Sequence, residues 1–238
     1  MQRHFSAAIV SALPLLFVSA CGESSFGPAT SSQGAQQPGS TSSLASSQTG
    51  KATYYSATGG GACSYDPSPN DLMVAAMNMP QYQNSQSCGM CVEVTGPKAT
   101  IVVRIVDLCP ECTSGHLDLS EQAFEKIADK SAGVVPITWT PVACQVTGPI
   151  SFRFKEGSTQ WWMGVQLRNS RLPVKKIELL NGSSWATLEQ QSYNYYLAPN
   201  MPGPGPFTFR LTSTTDQQIT DGGIQLRDAQ VVVGNQQF

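Results

Sequence analysis

The placement of the cysteines constrains the fold of this chain more than any other feature of its sequence. Seven cysteines occur, and six lie between residues 63 and 144: Cys63, Cys88, Cys91, Cys109, Cys112 and Cys144. The chain begins with a basic start and an apolar run, Ala7 to Val18, that is too short to remain in a bilayer, which is typical of an export signal. An even number of cysteines in an exported protein indicates disulfides, although two Cys-x-x-Cys spacings also permit a zinc site.

The N-terminal region predicts a lipid anchor followed by a tether. Residues 1–20 are interpreted as a lipoprotein signal peptide, because Val18-Ser-Ala-Cys21 has the residue types of a bacterial lipobox in which Cys21 is lipidated. The alternative is an ordinary cleavage site and a secreted protein. Residues 21–50 are predicted to form a flexible Ser-, Gly- and Gln-rich tether, so the protein is expected at the cell envelope or cell surface, attached to a membrane only by its lipid.

Beyond the tether, the sequence predicts two β domains, over residues 51–147 and 148–238. The first has short β-rich segments, from Ala52 to Tyr55, Cys91 to Thr95, Thr100 to Val106 and Val135 to Val142, and one helix that begins after Ser120. Many short strands and a single helix suggest a small barrel. Nine acidic and five basic residues give it a net charge of −4, against six acidic and eight basic residues, or +2, in the second domain. This balance does not indicate nucleic-acid binding.

The second domain contains no cysteine and is patterned as strands separated by turn signals. Six strands are predicted, which begin at Ile150, Trp162, Val174, Trp185, Phe207 and Ala229. Asn181-Gly182 and Asp221-Gly222-Gly223 are predicted to be turns. This spacing indicates a β-sandwich. Trp139 of the first domain and Trp185 of the second are expected in or near the two cores.

The stretch from Val106 to Ser120 carries two aspartates, Asp107 and Asp118, on a loop between a predicted strand and a predicted helix. Such a pair of acids is typical of a polysaccharide-binding groove. No Asp or Glu occurs between Ser24 and Tyr65, so the preceding segment supplies no further carboxylate. Because hydrolysis of a glycosidic bond ordinarily requires two carboxyl groups in complementary roles, the groove is expected to bind better than it cuts.

Five segments together resemble the expansins, and especially the bacterial expansin-like proteins. They are Ala52-Thr-Tyr-Tyr55, Gly59-Gly-Gly-Ala-Cys63, Val106-Asp-Leu-Cys-Pro110, Leu117-Asp-Leu-Ser120 and Lys155-Glu-Gly-Ser-Thr-Gln-Trp-Trp162. The resemblance implies a double-psi β-barrel related to family 45 endoglucanases, followed by an immunoglobulin-like cellulose-binding module. It also implies loosening of cellulosic walls without hydrolysis, no cofactor or metal, and a monomer that binds cellulose and related β-glucans.

The resemblance also carries site residues to this chain. Thr53, Tyr55, Asp107 and Asp118 are expected in the barrel groove, and Trp161, Trp162 and Tyr193 on the module. Asp118 resembles the general acid of the related endoglucanases, whereas Ala57 stands where those enzymes have their catalytic base. Since a methyl group cannot activate water, no glucanase activity is expected.

The disulfide pairing and one departure also follow from the resemblance. The plant members imply Cys63–Cys88 and Cys91–Cys144, which leaves Cys109–Cys112 to close a very small loop. Characterised bacterial relatives have an aromatic residue where Cys109 stands, so a sugar-stacking contact at that position is in doubt.

Other interpretations of the same residues remain open. Asp118 with Ser120 can organise a helix start, Asp107 can initiate a turn, and Thr53 with Tyr55 can pack the barrel wall. Neighbouring tryptophans on a regular strand point to opposite faces, so Trp161 and Trp162 can both face sugar only if the chain leaves the strand.

Two rival functions are kept. The first is a peptidoglycan-acting lytic transglycosylase of the rare-lipoprotein-A type, which requires a barrel histidine. The corresponding segment, Asp71 to Asn78, has none, and His116 lies on a different loop. The second is a carbohydrate-binding adhesin in which the barrel is only a scaffold.

Overall fold

Two β structures follow one another along the chain, and a computed structural model describes them over residues 44–238. The predicted signal peptide, Cys21 and most of the predicted tether lie outside the described residues. Among residues 44–238, no helix has the length and apolar character needed to cross a membrane.

The first structure is a closed barrel with the strand order β1-β5-β2-β4-β3-β6. Its strands are β1 Gln48–Tyr55, β2 Val74–Asn78, β3 Cys91–Thr95, β4 Thr100–Cys109, β5 Leu117–Ser120 and β6 Val135–Val142. β1 pairs with β5 and β2 pairs with β4 in parallel, and the other neighbours are antiparallel. A short helix, α1 Met79–Tyr82, follows β2, and helix α2 Glu121–Ile127 follows β5.

The barrel begins earlier than the sequence predicts. Gln48 to Gly50 pair with Trp139 to Ile137 of β6, so the last three residues of the predicted tether belong to β1. This segment has no apolar side chain to bury, so its composition does not predict a strand. Its backbone hydrogen bonds to β6 place it in the barrel. β2 and β5 were not predicted, because every residue of β2 is buried and shows no alternation, and β5 has only four residues.

The predicted helix start is confirmed, and it lies next to the groove residues. The Ser120 hydroxyl accepts a hydrogen bond from the amide of Ala123 at 3.0 Å and donates to the carbonyl of Leu72 at 2.5 Å. Phe124 and Ile127 face the barrel core, where Tyr54 packs against the Phe124 ring with centroids 4.9 Å apart. The helix therefore packs against the barrel core and begins three residues after Asp118.

The second structure is a sandwich of two sheets, ordered β10-β9-β13-β14 and β11-β12-β8-β7-β15. The strands are β7 Ser151–Phe154, β8 Gly164–Arg168, β9 Val174–Asn181, β10 Ser184–Thr187, β11 Glu189–Gln190, β12 Tyr196–Leu197, β13 Phe207–Ser213, β14 Gln218–Ile224 and β15 Val231–Val233. Phe152 and Phe209 stack between the sheets with centroids 5.0 Å apart.

Two predicted turns of this domain and the predicted positions of Trp139 and Trp185 can be compared with the structure. The turn at Asn181-Gly182 is confirmed between β9 and β10. The turn at Asp221-Gly222-Gly223 is wrong, because these residues lie inside β14, where the register shifts opposite Phe207 and Thr208. Trp139 is buried in the barrel, whereas Trp185 lies half-exposed with the Arg210 guanidinium 4.4 Å from its ring centroid.

Three disulfides join the barrel segments in the pairing that the family resemblance implies. Cys63–Cys88 and Cys91–Cys144 link distant residues, and Cys109–Cys112 closes a short loop after β4. All six cysteines are thus oxidised, including the four of the two Cys-x-x-Cys spacings that were candidates for a zinc site. Among residues 44–238, no cluster of His, Cys, Asp and Glu has the arrangement of a metal site.

Replacing Ser120 with alanine is expected to lower the free energy of unfolding by about 1–3 kcal/mol, because the helix loses its N-cap and the Leu72 carbonyl loses its donor. Urea denaturation measures the change. Ser183→Ala, at an exposed turn position, is the matched control and should stay within about 0.5 kcal/mol of the wild type. Equal stabilities for the two variants would contradict the capping role.

Candidate functional site

Three of the predicted groove residues lie on the parallel pair of strands β1 and β5. Thr53 lies directly opposite Asp118 in this register, and its hydroxyl donates to the Asp118 carboxylate oxygen Oδ1 at 2.5 Å. Tyr55 follows two residues later on β1, so it lies on the same face of the strand as Thr53. The structure therefore brings three of the four predicted groove residues to one side of the barrel.

Tyr55 is half-buried among the predicted groove residues. Its ring packs against Ala76, Cys109 and Cys112, which places the short-loop disulfide beneath an aromatic side chain. Burial raises the pKa of the Tyr55 phenol far above its ordinary value, and the negative charges of Asp107 and Asp118 raise it further. The phenol stays protonated, and its buried oxygen has no hydrogen-bond partner within residues 44–238.

Asp107, the fourth predicted groove residue, fills the turn-organising role that was the alternative expectation. Its Oδ1 accepts hydrogen bonds from the backbone amides of Ala62 at 2.7 Å and Leu108 at 2.8 Å. A Cβ at Gly61 would lie 2.2 Å from the carboxyl carbon of Asp107, so only glycine allows this approach. The carboxylate still acts electrostatically on Tyr55 and Asp118.

Asp118 itself is half-buried, and burial raises the pKa of its carboxyl group above the usual range. The hydrogen bond from Thr53 and the nearby His116 act in the opposite direction. Such a carboxylate can accept charge-assisted hydrogen bonds from sugar hydroxyls, which are among the stronger hydrogen bonds in proteins.

Two residues near Asp118 were missed as site residues. His116 lies with its ring nitrogen Nε2 2.9 Å from the Thr53 hydroxyl oxygen, and exposed Glu111 is close enough to raise the pKa of Asp118. Residues two apart on an extended chain lie on the same face, so the spacing of His116 and Asp118 could have placed the histidine beside the acid. The spacing was not used because strand β5 was not predicted.

Ala57, at the predicted position of the missing base, lies just beyond β1. Its amide donates to the carbonyl of Tyr55 at 2.9 Å, and its methyl side chain offers no proton acceptor. The nearby Glu121 carboxylate is bound to Lys130 at 2.6 Å and to the Ser56 hydroxyl at 3.1 Å. These contacts lower the pKa of Glu121 and hold it in an ion pair.

Trp161 and Trp162 lie on a turn and not within a regular strand, which is the condition for both side chains to face a sugar. They precede β8 on a tight turn in which the Thr159 amide donates to the Trp162 carbonyl at 2.7 Å. The side chains of Trp161 and Trp162 are 64% and 38% exposed, so neither is a core residue. The Gly203 amide also donates to the Gln160 carbonyl at 3.0 Å, which fixes the turn to a neighbouring loop.

Tyr193 lies on the hairpin that joins β11 to β12, in the same sheet as β8. The residues on both sides of it contact the barrel. The Tyr82 hydroxyl donates to the backbone carbonyl of Ser192 at 3.1 Å, and the side-chain Nδ2 of Asn194 donates to the Cys63 carbonyl at 3.1 Å. The barrel therefore holds the Tyr193 loop in place.

An unusual backbone conformation supports this contact. Gln83, Asn84 and Ser85 are three consecutive residues with left-handed φ angles of 47°, 52° and 72°. Side chains other than glycine pay an energetic cost there, which surrounding structure must offset. The buried Ser85 hydroxyl donates to the Gln191 carbonyl at 2.7 Å, so the strained run ends on the Tyr193 loop.

A cavity of about 520 Å³ lies away from the groove, lined by residues of both β structures. The guanidinium carbons of Arg104 and Arg168 lie 5.9 Å and 6.0 Å from the ring centroid of Tyr65 there. Arg168 pairs with Asp66 at 2.6 Å and Arg104 with Asp71 at 3.4 Å. These charges balance in pairs, so the lining does not favour an ion of either sign.

Comparisons with known proteins agree with this arrangement. The family model for the expansin N-terminal domain matches residues 19–138. Expansin-YoaJ of Bacillus subtilis (strain 168) is 36% identical over 177 residues, which cover 72% of this chain and 76% of that protein.

The structural comparison extends over both β structures. The crystal structure of the Clavibacter michiganensis expansin superposes with a TM-score of 0.76 at 32% identity, over 81% of this chain and 98% of that one. A variant of the same protein, solved in complex with cellohexaose, matches with the same values. The chain therefore belongs to the expansin family, with a double-psi β-barrel followed by a β-sandwich domain.

Proposed function

We propose that this expansin binds cellulose and related β-glucans and loosens polysaccharide cell walls by disrupting contacts between glucan chains, without hydrolysis. Members of the family are generally non-hydrolytic. The observation that carries the proposal is the groove itself, in which Asp118 is bonded to Thr53 while the side chain at position 57 is a methyl group. An acid without a base can grip a glucan but cannot complete an inverting reaction.

The module is proposed to hold the cellulose surface through Trp161, Trp162 and Tyr193. The exposed rings of Trp161 and Trp162 and the partly exposed ring of Tyr193 offer flat apolar faces on which pyranose rings can stack. Removing roughly 100 Å² of ring face from water contributes about 2.5 kcal/mol, so a few rings together can reach micromolar affinity after association costs. The related complex with cellohexaose supports a glucan as the ligand class.

The barrel groove is proposed to act on the same wall as the module. Thr53, Tyr55 and Asp118 offer hydroxyl and carboxylate groups that compete with hydrogen bonds between glucan chains. Tyr82 and Ser85 of the barrel donate hydrogen bonds to the loop that carries Tyr193, and Asn194 of that loop donates to the barrel. These bonds hold the groove and the module in a fixed relation. Binding by one part therefore positions the other.

The site of action is proposed to be outside the cytoplasm. Three disulfides fit an exported protein, because they persist in oxidising compartments. Lipidation of Cys21 would keep the two β domains at the cell envelope, with residues 22–47 as the tether. Radiolabelled palmitate incorporated by the wild type but not by Cys21→Ala would support this anchor.

The aromatic platform is tested by replacing Trp161, Trp162 and Tyr193 with alanine together. Retention on cellulose should be abolished, because the stacking faces are removed. The melting temperature should change little, because the tryptophans are exposed. Trp185→Ala on the opposite sheet is the matched control and should still be retained. A large fall in melting temperature for the triple variant would contradict a surface role.

The groove is tested by Asp118→Asn, which keeps the size of the side chain but removes its charge. Cellulose retention should survive, because the module is intact, whereas creep of a clamped wall strip should fall at least tenfold. Asp129→Asn is the matched control, since Asp129 is an exposed aspartate paired with Lys98. Unchanged creep in Asp118→Asn would instead favour an adhesin whose barrel is only a scaffold.

A further inference from the structure

The backbone next to His116 is held by side chains from three other parts of the barrel. The indole nitrogen of buried Trp139 donates to the Gly115 carbonyl at 2.9 Å, and the Gly115 amide donates to Gln81 Oε1 at 2.8 Å. The buried Asn78 side chain donates to the His116 carbonyl at 3.0 Å. Such complete use of backbone groups fixes the position of the His116 Cα atom.

This segment is also pressed against β1. A Cβ at Gly50 would lie 2.0 Å from the Gly115 carbonyl oxygen, and Gly115 has a φ of +82°. Both positions therefore require glycine. Thr53 lies three residues after Gly50 on the same strand, so the close approach brings the His116 ring to the Thr53 side chain.

The side chains then form a chain of two hydrogen bonds. His116 is only 8% exposed, and its Nε2 lies 2.9 Å from Thr53 Oγ1, which lies 2.5 Å from Asp118 Oδ1. The Thr53 hydroxyl has one proton to donate. When Asp118 is ionised it can only accept, so Thr53 donates to Asp118 and His116 must donate from Nε2 to Thr53.

We propose that His116 is a positioning residue of the groove: its Nε2–H holds the Thr53 hydroxyl in the orientation that donates to Asp118, which keeps the second carboxylate oxygen available to accept from a glucan hydroxyl. The consequence for glucan rests on the proposed function, whereas the hydrogen-bond chain exists in the free protein. The Thr53 hydroxyl oxygen already accepts a hydrogen bond from Nε2–H of His116. It is therefore a poorer acceptor for the proton of a protonated Asp118, which favours the ionised form of Asp118.

The charged groups around His116 and Asp118 are consistent with donation from His116 to Thr53 and from Thr53 to Asp118. Burial and the positive charge of Lys51 on β1 lower the pKa of His116, so the ring is neutral at neutral pH, while Asp118 and Glu111 act against this shift. Asp118 also faces Asp107 on β4, whose negative charge, like that of Glu111 on the following loop, favours protonation of Asp118. The Tyr55 phenol on β1 stays neutral. Among these neighbours, Thr53 lowers the pKa of Asp118 through its hydrogen bond, and His116 lowers it through positive charge when its ring is protonated.

A measurement on the wild-type protein tests the chain without any substitution. The ¹⁵N chemical shifts of the His116 ring, recorded at a pH where Asp118 is ionised, report which nitrogen carries the proton. The Nε2–H tautomer is expected. A neutral ring protonated on Nδ1 alone would overturn the proposal, because Nε2 would then be unable to donate to Thr53.

Two substitutions of His116 distinguish a hydrogen bond from a simple effect of nearby charge. ¹³C NMR of the Asp118 carboxyl group follows its titration. His116→Leu should move the midpoint to higher pH, because the Thr53 oxygen is then free to accept a hydrogen bond from protonated Asp118. His116→Gln retains an N–H of similar reach and should titrate close to the wild type. An unchanged midpoint in the leucine variant, or equal midpoints in both variants, would contradict the proposal.

A double-mutant cycle shows whether His116 acts through Thr53. In a Thr53→Val background, the exchange of His116 for leucine should no longer move the Asp118 midpoint. A shift as large as in the wild-type background would place the effect of His116 elsewhere.

Wall creep gives the functional readout separately from the NMR titrations. The ionised Asp118 is the accepting form, so its contribution is present above its pKa and lost as the pH falls through it. Creep by His116→Leu should therefore fall off at a higher pH than creep by the wild type or by His116→Gln. An altered titration with an unaltered creep profile would contradict the role of the proposed groove while leaving the hydrogen-bond chain intact.

Discussion

The parallel register of β1 with β5 is the constraint on which the groove depends. It places Thr53 opposite Asp118, Tyr55 one step further along the same face, and Ala57 just beyond the strand end. A slip of β1 by one residue would turn Thr53 and Tyr55 to the other face of the barrel, away from Asp118. The register is fixed at one end by the contact of Gly50 with Gly115, and at the other by the cap of the following helix on Ser120. Chemistry in the groove is therefore set by the barrel fold itself.

A second constraint joins the groove to the module. The left-handed run that ends at Ser85 is bonded to the loop that carries Tyr193, and Asn194 is bonded to the carbonyl of a disulfide cysteine, Cys63. Strain in the backbone is tolerated where neighbouring structure holds it. Under the proposed function, such a rigid joint lets the barrel grip a glucan chain while the module holds the cellulose surface. The proposal takes the driving force for slippage from strain already present in the wall, so it invokes no cofactor.

Much of this could be predicted from the sequence, and the failures have physical causes. Alternating patterns gave the bounds of β3 and β6, and Ser120 marked the helix start, because local chemistry determines those features. β2 was invisible because a strand buried on both faces shows no alternation. His116 was set aside as lying on another loop, yet the three-dimensional approach of that loop to β1 brings it to Thr53. For Asp107, the sequence favours a groove role and gives a turn-initiating role only as the alternative, whereas its carboxylate accepts from the backbone amides of Ala62 and Leu108.

The central claim is that a glucan is gripped in the groove and is not cut. Its most direct test is the amount of soluble reducing sugar released from amorphous cellulose by the purified protein, measured against creep of a clamped wall strip in the same preparation. The account predicts creep with no reducing ends above those of a heat-inactivated sample. Reducing ends that accumulate in proportion to time and protein, and that disappear in Asp118→Asn, would contradict it by showing that another group in the chain supplies the missing base.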